Sequence, residues 1–326
     1  MAIKLRQPQQ RLQGVKVMIY GSSGAGKSRY SLSGWENQII VDSEAKIGTV
    51  EGNEKYNQNI VGILDSSNYY DYIELMEEII KNPSMCSTLV VDSESNIYNN
   101  TQMACLEVEE ERARKKKKEI EDSNLSQRSW GRIKNNYTRS KLLRQQLSSQ
   151  GINLIVVAQE EPVKQKVGDE MVVVGTKPVI QKTAEFEYDI ILRFFKERNM
   201  GTGEMQYMCE VEKDTTDTFK VGAIIQNPTY ENTFKSYMDS RKNLQAIKTT
   251  DYSNAVNKDI AKMTEEGKSF DDTVKEFVEL FKELKAKDED NTVKVQTLLQ
   301  EHGIKSYKDQ ETADELAKVV AILKTM

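Results

Sequence analysis

Along the chain, short runs of consecutive apolar residues alternate with longer stretches in which apolar positions recur every three or four residues. Val15–Tyr20 reads as a strand, and so do Gln38–Val41, Val61–Leu64, Thr88–Asp92, Asn153–Gln159 and Asp189–Phe195. In most of these runs nearly every residue is apolar, rather than every second one, which predicts strands buried on both faces. Tyr72, Ile73, Met76, Ile79 and Ile80 share one side of a helix and predict one over residues 69–80. Residues 96–122 and 124–149 predict two more, the second stopped by Gly151. Val163–Val167 and Met171–Val174 flank Gly168-Asp169, which is a hairpin signal. Met205–Val211 and Phe219–Ile225 predict a last pair of strands.

Apolar strands alternating with helices predict an α/β domain over 15–235, with a mostly parallel sheet flanked by helices. A polar lead-in, 1–14, precedes it and a polar linker, 236–253, follows. Residues 254–326 have almost no strand signal and are net acidic. They predict a small helical C-terminal domain with helices over 271–285, 293–300 and 311–324.

Charge narrows the partners. A net charge of -5 argues against a uniformly basic coat for nucleic acid and leaves room for a local basic groove. Cys86, Cys105 and Cys209 show no paired spacing and read as three reduced thiols. His302 is the only histidine, which excludes a histidine-based triad and a multi-histidine metal site. No signal peptide and no run long enough to span a membrane is present, so the expectation is a cytoplasmic protein without a membrane partner.

The strongest chemical signal is the stretch Gly21, Ser22, Ser23, Gly24, Ala25, Gly26, Lys27, Ser28, followed by Arg29. It meets the pattern G-x-x-x-x-G-K-[ST] between a strand and a helix. Glycines let the backbone turn sharply and aim several N–H groups at one anion. Lys27 is placed to reach the β- and γ-phosphates of ATP, and the Ser28 hydroxyl to ligate Mg2+. Asp92 ends an apolar strand, where an acid holds the magnesium shell in proteins of this kind. The bland reading of Asp92 is a strand-terminal cap. Glu44, after the second strand, is a candidate base for an attacking water, and Glu94 competes for that role. Gln159 ends the strand at 153–159 and is placed to sense a γ-phosphate, unless it is an ordinary loop amide.

Three strand ends carry a family resemblance. Ile39-Ile40-Val41-Asp42-Ser43-Glu44 resembles the RecA-type strand bearing the catalytic glutamate. Leu89-Val90-Val91-Asp92-Ser93 resembles its magnesium-binding strand, and Ile155-Val156-Val157-Ala158-Gln159 the strand whose Gln couples nucleotide state to a DNA-binding loop. Tyr188–Arg193 resembles a later core strand. Their order and spacing, with Leu125-Ser126-Gln127 through Trp130-Gly131, are similar to the AAA-domain NTPases of bacteriophage genomes, a group that includes RecA-like single-strand annealing proteins. The resemblance implies a RecA-like P-loop ATPase acting on single-stranded DNA in recombination or replication, and a homo-oligomer. It implies Glu44 as the base, 160–184 as a nucleotide-responsive DNA loop, and Lys213 as a residue reaching a neighbouring subunit's γ-phosphate. The chain departs from bacterial RecA in its acidity and in having no matching N-terminal polymerisation helix and strand.

Two basic sets are candidates for DNA. Arg112, Arg114, Lys115, Lys116, Lys117, Lys118, Arg128 and Arg132 belong to a basic stretch that continues through Lys134, Arg139, Lys141 and Arg144. A solvated helix face is the alternative reading. Lys164, Lys166, Lys177 and Lys182 form the second set, or a soluble edge strand. Trp130 and Tyr137 are aromatic candidates for base stacking, with core packing expected for Trp130. The acidic tail reads as a docking module for a replication or recombination protein, which keeps open an ATP-driven switch or helicase-loader role. No acceptor or lid signature points to a small-molecule kinase, and no N-K-x-D motif to a GTPase.

Overall fold

The apolar runs at 16–21, 38–42 and 88–92 become strands buried over their whole length. In the computed structural model, which describes residues 7–116, 124–246, 259 and 270–325, the chain divides into two compact units, 1–253 and 254–326. The first unit runs β1 (Lys16–Gly21), α1 (Lys27–Ser31), β2 (Gln38–Asp42), α2 (Glu54–Asn57), β3 (Ile60–Leu64), α3 (Tyr69–Lys81), β4 (Thr88–Asp92) and α4 (Glu94–Lys115). It continues with α5 (Gln127–Ser149), β5 (Asn153–Val167), β6 (Glu170–Pro178), β7 (Ile190–Arg198), β8 (Met205–Asp214), β9 (Ile224–Gln226), α6 (Tyr230–Thr233) and α7 (Lys235–Asp239).

The sheet order is β3-β2-β4-β5-β1-β7-β8-β9, with β6 paired to β5. Strands β3, β2, β4, β5, β1 and β7 are parallel, while β8, β9 and β6 join antiparallel. Alternation within one strand feeds two cores. Met18 and Tyr20 of β1 pack with Tyr72, Met76, Leu143 and Leu147 on the side of α3 and α5. Val17 and Ile19 pack on the other side with Trp35, Ile40, Leu192 and Phe234. Burial on both faces is the reason β1, β2 and β4 tolerate so few polar residues. The sheet is thus mostly parallel and helix-flanked.

Caps fix where the helices start. The Asn68 side chain accepts from the Tyr70 and Asp71 amides ahead of α3, and Ser126 caps α5 through the Ser129 amide. Ser93 does the same for α4, so the strand end at Asp92 passes directly into a helix.

Three stretches differ from the sequence expectation. First, β5 does not stop at Gln159 but runs on through Pro162 to Val167. Its neighbours β1 and β4 end at the level of Gln159 and Val157, so its outer half has β6 alone beside it. A ribbon with an open side accommodates a proline that a central strand would reject. Second, the strand expected over 219–225 shrinks to β9. Asp214 accepts from the amides of Thr216 and Phe219 and folds that stretch into a turn, while Phe219 packs edge-on to Phe234 at 5.4 Å. Third, parts of the polar lead-in and linker are ordered against each other: the Leu12 amide donates to the Gln245 carbonyl at 3.0 Å, and α7 borders residues expected to be linker and runs into them.

The second unit contains α8 (Phe270–Lys287), α9 (Asp290–Glu301) and α10 (Ala313–Leu323). Phe277, Leu284, Val295, Leu316, Val319 and Leu323 form its own core. His302 Nδ1 and Glu315 Oε2 are 2.7 Å apart on its surface. Among the described residues, no helix is long and apolar enough to cross a membrane. Cys86, Cys105 and Cys209 are buried and unbridged.

Candidate nucleotide site

The parallel strands all finish at one edge, and the register lines up their ends. Asp42 of β2 pairs with Asp92 of β4, Asp92 with Val157 of β5, and Gly21 of β1 with Gln159 of β5. Ligands of open α/β sheets settle at this carboxyl edge. Here a cleft of about 1200 Å³ opens along it, lined by Gly21–Ser28, Glu44, Lys46, Asp92, Ser93 and Gln159.

The loop after β1 needs its glycines for two reasons. Gly21 has φ +148, and a Cβ there would lie 1.9 Å from the Phe194 carbonyl oxygen of β7. Gly26 has φ +92, in the left-handed region, just before α1. Lys27 Nζ donates to the carbonyls of Gly21 at 2.7 Å and Ser22 at 2.8 Å, so the ammonium is tied across its own loop. Burial lowers the Lys27 pKa from its ordinary value, against the pull of Asp92, Glu160 and Glu44. Arg29 is exposed at the rim of the cleft.

Asp92 is buried, and burial raises its carboxyl pKa against the lowering effect of a hydrogen bond from Ser28. Its Oδ2 has no hydrogen-bond partner. A buried carboxylate oxygen left unpaired is costly unless something charged joins it. One acid and one hydroxyl beside a phosphate cradle fit a magnesium ion that keeps several waters, since Mg2+ takes few protein ligands. Among the described residues no cluster of three His, Cys, Asp or Glu side chains forms a closed metal site.

Glu44 sits on a tight loop that Asp42 builds. The Asp42 carboxylate accepts from the amides of Glu44 and Lys46 at 3.2 Å and of Ile47 at 2.8 Å. Ser43 Oγ locks this loop to the end of β4, accepting from the Ser93 amide and donating to the Ser93 carbonyl, both at 2.8 Å. Glu44 Oε1 accepts from Ser93 Oγ at 2.6 Å and from Gln159 Nε2 at 2.8 Å, while Oε2 accepts from Lys46 Nζ. Burial works to raise the Glu44 pKa, but the hydrogen bonds from Lys46, Ser93 and Gln159 outweigh it and hold the carboxyl below its ordinary value.

Glu94 lies elsewhere. It faces the helical layer, where Arg144 Nη1 donates to its Oε1 at 3.1 Å. The same guanidinium donates to both oxygens of Glu187, at 2.6 and 2.9 Å, and to the Tyr72 hydroxyl at 3.1 Å. Tyr137 is buried and donates to Glu187 at 2.7 Å, so it has no free face for a nucleobase. Trp130, expected in the core, is 46% exposed at the start of α5. In that first turn Ser129 takes the inward position instead and donates to Glu109 of α4 at 2.5 Å.

The other expected residues scatter. Lys213 pairs with Ile191 in the register that aligns Ile191 with Met18, three residues short of Gly21, and its Nζ donates to the Glu185 carbonyl at 2.9 Å. It does not line the cleft. Arg112 pairs with Glu109 and Arg114 with Glu110, while Lys115 and Lys116 end α4. Lys117 and Lys118 lie outside the described residues. Arg128 and Arg132 are both exposed, one turn apart on α5. Lys164 and Lys166 are exposed on the ribbon, Lys177 is paired with Glu161 at 3.1 Å, and Lys182 is exposed past the end of β6.

Two cleft neighbours escape sequence reasoning. Lys46 is two residues from Glu44, at a spacing that brings side chains together only because Ala45 takes φ +53. Lys196, on β7 beyond the end of β1, reaches the loop so closely that a Cβ on Gly24 would sit 3.3 Å from its Nζ. Only the pairing of β7 with β1 reveals that proximity.

A phosphate-cradling loop, a buried acid on a neighbouring strand and a mostly parallel sheet define a P-loop NTPase of the α/β class. A family model described as AAA domain matches residues 13–219, and the chain belongs to that family, whose members generally bind a nucleotide with Mg2+. No curated protein matches the chain. Among solved structures, a KaiC-like protein from the hyperthermophilic archaeon Pyrococcus horikoshii is similar at 12% identity, with 66% of this chain and 90% of that chain covered and a TM-score of 0.38.

Proposed function

We propose that this protein hydrolyses ATP and couples that reaction to single-stranded DNA, in recombination or replication of the bacteriophage type, by annealing or strand pairing. What supports the reading is one juxtaposition. Gln159 bonds Glu44 inside the cleft, and the strand that carries Gln159 continues without a break into the exposed ribbon bearing Lys164 and Lys166.

In this reading Lys27 and the loop amides bind the triphosphate, with Ser28 and Asp92 holding Mg2+, which neutralises phosphate charge. Glu44 orients a water whose oxygen forms the bond to the γ-phosphorus. The bond from that phosphorus to the bridging oxygen breaks, and its electron pair stays on ADP. Glu44 takes the water's proton, and ADP and inorganic phosphate leave. Arg128, Arg132 and Trp130 on α5, with Lys164 and Lys166, are the surface offered to DNA, through phosphate neutralisation and base stacking. Copies of the chain assemble in this reading, with Lys213 or Lys196 as the cation offered to a neighbour.

The test is ATP turnover with and without single-stranded DNA at low salt, together with annealing of complementary oligonucleotides. DNA-stimulated turnover that disappears in Glu44→Gln supports the reading. Turnover indifferent to DNA, with no DNA binding, overturns the DNA arm. That result favours a partner-controlled switch working through the helical second unit, which has its own core.

A further inference from the structure

The two oxygens of Glu44 are held by different kinds of partner. Oε1 is anchored by Ser93 Oγ and Gln159 Nε2, both from the ends of neighbouring strands. Oε2 is held by Lys46 Nζ. The Lys46 side chain is 64% exposed, on a loop fixed from below by Asp42, so its long stem is free to swing while its backbone is not. It lines the same cleft as Lys27 and Ser28.

We propose that Lys46 exchanges partners on nucleotide binding, holding Glu44 Oε2 before the ligand arrives and moving to the γ-phosphate of a bound triphosphate. This rests on the reading of the cleft as an ATP site. Lys46 thereby acts as a positioning residue: its departure uncovers Oε2, while Ser93 and Gln159 keep the carboxylate aimed through Oε1. Lys46 occupies one acceptor site of Oε2 and its charge lowers the basicity of the carboxylate, so the base is weakened until the correct ligand is present. A diphosphate lacks the terminal group that would draw Lys46 away.

Charge favours the exchange. The cleft gathers Asp92, Glu44 and Glu160 against Lys27, Lys46 and, at its rim, Arg29. A triphosphate arriving beside Glu44 brings negative charge next to that carboxylate, and an ammonium between the two relieves their repulsion. The multiply charged phosphate offers more to that ammonium than a single carboxylate does. The two lysines are near enough to affect each other, since the charge on Lys46 contributes to lowering the Lys27 pKa.

The experiment measures affinity for the non-hydrolysable analogue AMP-PNP and for ADP, each with Mg2+, by calorimetry on the full chain. Four proteins are compared: wild type, Lys46→Ala, Glu44→Gln and the double variant. Lys46→Met and thermal melts check that the exposed site leaves folding intact. Lys46→Ala is expected to bind AMP-PNP about tenfold more weakly while ADP affinity holds, because the γ-phosphate no longer meets the ammonium. Glu44→Gln is expected to bind AMP-PNP about threefold to fivefold tighter, since no ion pair has to break first. That gain must vanish when Lys46 is absent, and Lys46→Arg must restore part of the preference. An unchanged ratio of the two affinities in Lys46→Ala, or a Glu44→Gln gain that persists without Lys46, overturns the exchange. Retained turnover in Glu44→Gln sinks the base assignment instead and leaves the affinity comparison readable. Failure of wild type to bind either nucleotide sinks the site itself.

Discussion

Gln159 Nε2 lies 2.8 Å from Glu44 Oε1, although β5, which carries Gln159, and β2, whose following loop carries Glu44, are separated by β4. The contact closes over the end of β4, with Ser93 donating to the same oxygen from beneath. In the proposed function, a signal at the ribbon has to reach the candidate base through this single side-chain amide. Gln159→Ala is expected to slow turnover about tenfold to hundredfold, the cost of removing a hydrogen bond to a charged group. Nucleotide affinity should stay within about twofold. Phosphate release and calorimetry on the same preparation separate the two, and an equal loss in both would place Gln159 in binding rather than in orienting Glu44.

Asp92→Asn should remove the magnesium dependence of nucleotide binding. The unpaired Oδ2 is buried, so a neutral amide there has no reason to recruit a dication. Thermal melts with ATP, with and without Mg2+, provide the check. Wild type should gain an extra increment of stability from the metal, and the variant should not. Lys27→Ala, in contrast, should weaken nucleotide binding about tenfold or more with and without the metal, because it takes a charged donor away from the phosphates.

The buried guanidinium of Arg144 ties α3, α4, α5 and the approach to β7 together. Arg144→Met should cost about 3–5 kcal/mol, because two carboxylates are left in the interior without their cation. Tyr137→Phe, which removes one donor to Glu187, should cost about 1–2 kcal/mol. Arg139→Ala breaks an exposed pair with Glu77 and should change stability by less than about 1 kcal/mol. Urea denaturation ranks the three, and a surface-like value for Arg144 would contradict its placement.

The same cluster sets a pH response. Burial acts to raise the Glu187 pKa, but Arg144 and the Tyr137 hydroxyl outweigh it and hold the carboxyl below 4.5. An acid depressed in the folded state stabilises above its unfolded pKa, and that contribution is lost as pH falls through the folded value. Glu94 moves the other way, raised by burial against the pull of Arg144, so its protonation partly offsets the loss. Wild type should therefore lose stability on acidification below about pH 4.5 more steeply than Glu187→Gln. Parallel acid-unfolding curves would show that Glu187 does not carry the effect.

If α5 touches DNA, Arg128→Glu with Arg132→Glu should flatten the dependence of binding on salt, by about one unit of slope for each phosphate no longer neutralised. Trp130→Ala should weaken binding by about 1–3 kcal/mol with the slope unchanged, the mark of stacking. A salt titration of fluorescent oligonucleotide binding reads both. Full retention in both variants would shift attention to Lys164 and Lys166.

The parts of the molecule legible in sequence are those in which a residue's role is written in its own neighbourhood. The glycines and Lys27 form one contiguous motif, and Thr88–Asp92 is a strand because no residue in it suits anything else in a buried sheet. Trp130 departs from expectation because the buried position of that turn goes to its small neighbour Ser129, which Glu109 of α4 holds inward. Glu94 looks equivalent to Glu44 in sequence because both follow an Asp-Ser pair at a strand end. The difference lies in Arg144, 50 residues away, which claims Glu94 from the opposite side. Lys46 and Lys196 are invisible for a related reason, since one depends on a left-handed Ala45 and the other on strand pairing. The long β5 is hidden by Pro162, whose usual veto lapses once a strand has only one neighbour.

β5 changes character at Gln159. Behind that residue it is a buried member of the sheet, and ahead of it a free ribbon turning at Gly168-Asp169. Side chains alternate with a period of two, so residues removed in matched pairs from both arms shorten the ribbon without turning it over. The ribbon is thus an interchangeable tool on a fixed handle. On the proposed reading, a different tip changes what the ribbon contacts and leaves the Gln159–Glu44 hydrogen bond in place.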